Sequence, residues 1–174
     1  MRIISGNHKG RKIIAPKNLP VRPTTDRAKE SLFNILQNRY NISKLKALDL
    51  FSGTGNISFE FASRNAKKIT AVDKNIKCTN FINKMSLELD FNIKTITSDC
   101  FNYILNTSDK FDIIFLDPPY KEKALENINN KEAIANPESL KYFENPILIS
   151  IFFSKFQKNL NCPKAKPTTS ISTW

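Results

Sequence analysis

From residue 46 to residue 117 the chain alternates between short apolar runs and stretches with helical spacing, and no other feature restricts its fold as much. "KALDLF", "KITAVD", "IKTITSD" and "FDIIFLD" are rich in apolar and β-branched residues. Between them lie "NISFEFASRN", "KNIKCTNFINKMSLEL" and "CFNYILN". Buried strands joined through helices pair in parallel, because each helix carries the chain back across a face of the sheet. The expected fold is therefore α/β, a mostly parallel, doubly wound sheet. Ligands of such sheets sit at the carboxyl ends of the strands, near the switch point. "PILISIFF" predicts a fifth strand.

The segments on either side of this core read differently. "MRIISGNHKGRKIIAP" holds two short β-branched runs around a glycine-flanked turn, a hairpin signal, and "NLPVRPTT" is extended by its prolines. Thr25 can cap a helix over "DRAKESLFNILQNRY", with Ala28, Leu32, Phe33, Ile35 and Leu36 as its apolar stripe. With 174 residues, one core is expected. The expected division is a single domain over residues 1–153, including a basic hairpin region at 1–22, and a basic tail at 154–174.

Each of the first four strands ends on or near an acid: Asp49, Asp73, Asp99 and Asp117. After the first comes the turn Gly53-Thr54-Gly55, which lets backbone approach a ligand closely. The pattern falls short of G-x-G-x-x-G, because residue 58 is serine. Asp73 lies twenty residues after Gly53, a spacing at which a carboxylate meets a ribose diol in dinucleotide and adenosyl sites alike. It could equally cap the helix that follows. The net charge of +11 points to a polyanionic partner, most often nucleic acid. Cys78, Cys100 and Cys162 fit neither a disulfide framework nor a zinc pattern. No metal is expected, and a reducing cytoplasm is.

"DPPY", residues 117–120, carries the chemistry. A nucleobase amine is a weak nucleophile because its lone pair is conjugated with the ring. Accepting a hydrogen bond from each N–H draws the nitrogen towards tetrahedral geometry and frees that pair. The Asp117 carboxylate can be one acceptor and the Pro118 carbonyl the other. Pro118 and Pro119 fix the turn, and Tyr120 offers a face for stacking the base. The motif recognises an N–H pair rather than a particular ring, so it serves guanine N2, adenine N6 and cytosine N4 equally.

Together these motifs resemble the class I S-adenosylmethionine-dependent methyltransferases of the amino-methylating type. "MRIISGNHKGRKI", "VRPTTDRAKESLFNIL", "ALDLFSGTGNISFEFASRNAKKITAVDKN" and "DPPY" are similar, over residues 1–120, to the RsmD family, which methylates a guanine N2 in bacterial 16S ribosomal RNA. The resemblance implies a Rossmann-like fold with S-adenosyl-L-methionine as cofactor. It places the cofactor's amino-acid end near Asp49, Phe51, Gly53 and Gly55, its ribose at Asp73 and its adenine near Asp99 and Cys100. Arg22, Thr24 and Phe33 would help to close that site. Asp117, Pro118, Pro119 and Tyr120 would hold the target base, and Arg2, Lys9, Arg11, Lys12 and Arg27 would meet phosphates of 16S rRNA in an assembling small subunit. A monomer is expected. The family's closing Glu-His-Ser strand and Tyr-Gly segment have no counterpart in "ILISIFFSKF" or after it, which leaves the last strands in question. An adenine-N6 or cytosine-N4 methyltransferase acting on DNA or another RNA, and a non-catalytic RNA-binding relative, are the alternatives.

Overall fold

The computed structural model describes residues 1–16, 19 and 25–117, and the backbone of 147–150. Arg22, Thr24, Pro118, Pro119, Tyr120 and the tail at 154–174 lie outside the described residues. The elements run α1 (Asp26–Arg39), a 3-10 turn (Ile42–Lys44), β1 (Lys46–Leu50), α2 (Asn56–Ser63), β2 (Lys68–Asp73), α3 (Ile76–Glu88), β3 (Ile93–Thr97), α4 (Cys100–Asn106), β4 (Ile113–Leu116) and β5 (Ile147–Ser150). The strands lie in the order β3-β2-β1-β4-β5, and every pairing among them is parallel. The expected doubly wound sheet is present. The winding reverses between β1 and β4, which makes their carboxyl ends the switch point.

Strand period decides which side chains meet which helices. Ala47, Ile69, Ala71, Ile93, Ile113 and Phe115 face a cluster with Leu32 and Phe33 of α1, Phe59 and Phe61 of α2 and Ile82 of α3. Their neighbours Leu48, Leu50, Val72, Ile114 and Leu116 face the other way, onto Cys100 and Ile104 of α4 and onto Phe111. Both faces of the central strands are therefore covered, as all-parallel sheets require. No helix among the described residues is long and apolar enough to cross a membrane.

The amino-terminal hairpin is present as a short antiparallel ladder. Arg2 bridges Lys12, Ile3 N–H donates to Arg11 O at 3.0 Å and Gly10 N–H donates to Ile3 O at 2.8 Å. Ile3 and Ile13 are buried in the first core cluster. The turn is fastened to the end of α2: Asn7 N–H donates to Ser63 O, His8 N–H to Ser63 Oγ, and Ser63 Oγ to Ser5 O. At Gly6 the φ is +86°, and a Cβ would lie 1.9 Å from Ser63 O, so no other residue fits. His8 packs edge-on against Phe91, with ring centroids 4.6 Å apart.

A buried ionic cluster holds hairpin, α1 and α2 together. Glu60 is 0 % exposed, and its carboxylate accepts the backbone N–H groups of Ile4 and Ser5. It also pairs with Lys29 at 2.9 Å and with Arg64. The Lys29 ammonium donates further to Arg2 O at 2.6 Å and to Asn56 Oδ1 at 2.8 Å. Burial pushes the Lys29 pKa down, and Glu60 opposes that shift. Lys29 thus lies on the buried face of α1 with Leu32, Phe33 and Leu36, where sequence spacing had put Ala28 and Ile35, both only half-buried.

Candidate active site

The site is built by strand register at the carboxyl edge. Leu50 lies opposite Val72 on one side and Leu116 on the other. The next residue of each strand, Phe51, Asp73 and Asp117, therefore emerges at one level, and Asp73 pairs with Thr97 of β3. The chain turns sharply after β1. Phe51 takes φ 59°, unusual for a bulky residue, and its N–H donates to Cys100 Sγ at 3.3 Å. Ser52 N–H donates to Val72 O at 3.0 Å, and Gly55 N–H closes the turn onto Ser52 O at 2.7 Å.

Gly55 begins α2 in the left-handed region, at φ +73°, where a Cβ would stand 2.8 Å from Ile82 Cγ1 and 3.1 Å from Phe59 Cε2. Gly55→Ala is expected to lower stability by about 1–3 kcal/mol through the strained backbone and this contact. Thermal unfolding measures it, and an unchanged midpoint would show that the turn yields easily.

The acids gathered at this edge differ in state. Asp49 is 1 % exposed, and its Oδ2 accepts from Ser58 N–H at 3.1 Å and from Ser58 Oγ at 2.5 Å. Burial raises its pKa to about 7; the Ser58 hydrogen bonds oppose this, and the charges of Asp117 and Asp73 add to it. Asp117 is half-buried, and desolvation raises its pKa to about 6. Asp73 accepts Gly53 N–H on Oδ2 at 2.7 Å and Asn75 N–H on Oδ1 at 2.8 Å. It does not cap α3. Asn75 does, accepting from Lys77 N–H at 2.9 Å. Each Asp73 oxygen keeps acceptor capacity beyond that one N–H.

Asp99 has a structural task as well. It caps α4, with Oδ1 accepting from Phe101 N–H and Asn102 N–H. Cys100 is buried beneath Phe51, and burial pushes its thiol up to about 12, so it is a neutral packing group. Phe33 is placed elsewhere. It is 0 % exposed in the core between α1 and α2, edge-on to Phe61 at 4.8 Å with the Arg64 guanidinium 4.4 Å from its ring centroid. The structure thus brings Asp49, Phe51, Gly53, Gly55, Asp73, Asp99, Cys100 and Asp117 to one edge, while Phe33 acts through packing. Arg2, Lys9, Arg11, Lys12 and Arg27 are all exposed, and Arg2 also pairs with Asp26 at 3.4 Å. Sequence reading missed the Lys29–Glu60–Arg64 cluster, although the i,i+4 spacing of Glu60 and Arg64 was a visible signal.

This donor and acceptor set suits a ligand that brings a cation and a vicinal diol. A buried carboxyl at Asp49 gains from a nearby positive charge, and the open acceptor capacity of Asp73 suits paired hydroxyls.

Residues 1–162 match the family described as Conserved hypothetical protein 95. The ribosomal RNA small subunit methyltransferase D of Buchnera aphidicola from Acyrthosiphon pisum is 36% identical over 179 residues, covering 99% of this chain and 90% of that protein. The methyltransferase D of Escherichia coli K12 is 30% identical over 151 residues, covering 84% of this chain and 75% of its own length. Among solved structures, a methyltransferase of Escherichia coli superposes with a TM-score of 0.70 at 26% identity, covering 86% of this chain and 78% of that one. A methylase of Haemophilus influenzae gives 0.63 at 29% identity, covering 86% and 79%. The fold, the sheet edge and these matches agree, and the chain belongs to the Conserved hypothetical protein 95 family, the RsmD family expected from its motifs.

Proposed function

We propose that this chain transfers a methyl group from S-adenosylmethionine to ribosomal RNA of the small subunit, at the exocyclic N2 of a guanine. The observation that carries the reading is the placement of Asp117. It stands half-buried at the end of β4, level with Asp73 across the switch point and close enough to Asp49 for their charges to interact.

The cofactor supplies an electrophilic methyl group and departs as a neutral thioether. Asp49 would neutralise its positive charge, Asp73 would accept from its ribose hydroxyls, and the turn from Phe51 to Gly55 would hold its amino-acid end. The rest is positioning. The Asp117 carboxylate accepts one N–H of the guanine amine and the Pro118 carbonyl accepts the other, which frees the lone pair to form the new C–N bond. Asp117 takes up the proton that the amine then sheds. Tyr120 stacks on the base, which must be turned out of any helix to reach this edge. Pro118, Pro119 and Tyr120 enter through the sequence motif, as do Arg22 and Thr24 for closing the cofactor site. Arg2, Lys9, Arg11, Lys12 and Arg27 supply phosphate contacts to 16S rRNA.

Label transfer from methyl-labelled cofactor tests this reading. Small subunits lacking the modification, naked 16S rRNA and unmethylated DNA are offered in parallel, and the labelled nucleoside is identified after digestion. N2-methylguanosine from the RNA arms is expected. Label confined to DNA as a methylated adenine or cytosine amine would keep the chemistry and overturn the substrate. Absence of label from folded protein would favour a non-catalytic RNA-binding role.

A pH profile gives a second check. Only the ionised Asp117 can both accept from the amine and take up its proton. With a pKa of about 6, kcat/KM for RNA at saturating cofactor is expected to rise with pH up to about 6 and then level off. A profile flat from pH 5 to 8 would remove the carboxylate from the rate-limiting chemistry.

A further inference from the structure

A cleft lies away from the active-site edge. It has a volume of about 640 Å³ and is enclosed by the hairpin turn, the end of α1, the 3-10 turn and the end of α2. The 3-10 turn leads directly into β1, so the cleft opens at the amino edge of that strand, whereas the acids gather at its carboxyl edge. The five residues of β1 separate the two by roughly 16 Å at about 3.3 Å each.

Its chemistry is distinctive. Arg39 and Arg64 are among its lining residues and no acid is, and because Arg64 is paired with Glu60 behind the wall, the exposed Arg39 is the cation it offers a ligand. Arg64 is 7 % exposed, and its Nε is buried with no hydrogen-bond partner among the described residues. Amide side chains crowd the rim, with Asn7 Nδ2 donating to Asn65 Oδ1 at 2.9 Å and Asn38 exposed beside them. Tyr40 supplies a half-buried ring. Amides read base edges, a phenol ring stacks on a base, and the exposed Arg39 guanidinium can meet a phosphate; unpaired RNA presents all three features, whereas an RNA duplex hides its base edges. The volume is that of a small-ligand pocket, enough for a single nucleotide. The hairpin turn contributes Ser5, Gly6 and Asn7 to the cleft wall, and the same turn carries the exposed Lys9 and leads to the exposed Arg11.

We propose that this cleft is a second RNA-binding site, which holds an unpaired nucleotide of the substrate while the target base occupies the distant sheet edge. The proposal rests on the reading of the chain as an RNA methyltransferase. The hairpin turn forms part of the cleft, and Glu60 locks the first strand of the hairpin onto α2, which fixes that wall in place.

Arg39→Glu is the informative variant, since Arg39 is exposed in the last turn of α1 and its loss leaves the core untouched. Fluorescence anisotropy of the whole chain with an unpaired RNA oligonucleotide and with an RNA duplex is measured first, over a range of salt. Unpaired RNA is expected to bind wild type more tightly than duplex. Arg39→Glu is expected to weaken unpaired RNA about tenfold and to reduce the log–log salt slope by about one. Its KM for RNA should rise, with kcat and cofactor affinity kept. Equal binding by wild type and variant, or duplex bound as tightly as single strand, would overturn the cleft as an RNA site. Failure of wild type to methylate any RNA would instead count against the functional reading, and the oligonucleotide titration would still judge the cleft.

Discussion

Asp117→Ala is expected to reduce kcat by roughly 100- to 1,000-fold, the usual loss when one preorganised polar contact to the reacting group is removed. Cofactor affinity should stay near that of wild type, because the proposed cofactor contacts are at Asp49 and Asp73 instead. Asp117→Asn keeps a side-chain carbonyl that accepts from the amine but cannot take its proton, so it should retain more activity than alanine. Single-turnover methyl transfer, with calorimetric titration of the cofactor, separates the two effects. If Asp117→Ala turns over at the wild-type rate, the amine is held by other groups. If it loses cofactor binding as well, the carboxylate belongs to the cofactor pocket rather than to the base.

Removing Glu60 is expected to have the largest effect on stability. Glu60→Ala leaves the ammonium of Lys29 and the guanidinium of Arg64 buried without their carboxylate, and strands the N–H groups of Ile4 and Ser5. Breaking one partner out of such a cluster costs about 3–5 kcal/mol. For a chain of this size that lowers the unfolding midpoint by roughly 10 °C. Glu60→Gln keeps one acceptor oxygen for the hairpin N–H groups and should fall between alanine and wild type. Thermal melts of the three proteins give the order, and hydrogen exchange at Ile4 and Ser5 shows whether the hairpin opens before the rest. A Glu60→Ala protein that melts with the wild type would mean that water replaces the carboxylate at no cost.

The fold was legible because its signals are local. β2 and α4 have the bounds that their apolar runs set, Lys68–Asp73 and Cys100–Asn106, and the cap at Thr25 was readable from the residues after it. The remaining described strands and helices end within a few residues of their expected limits, where fraying and capping decide. The sheet edge was legible for a related reason: in a doubly wound fold, the residues that follow each strand must meet at one level. What was not legible depends on partners remote in sequence. Lys29 looks like a surface lysine until Glu60, on another helix, is brought beneath it. Asp99 falls into line with the other acids, but its cap on α4 gives it a local purpose that the coincidence of strand ends concealed. Phe33 was expected at the cofactor from the family resemblance, yet period alone sends it inward with Leu32 and Leu36.

The attachment of the hairpin to α2 has a consequence for biosynthesis. Ile4 and Ser5 find their acceptor, Glu60, 56 and 55 residues further along the chain. At about 5–20 residues per second, a ribosome needs roughly 3–11 s to make that stretch. Throughout this interval the hairpin lacks its buried carboxylate, and its basic residues stay unanchored. The hairpin is secured only once α2 has been made, and newly made chains interrupted before α2 would carry it exposed.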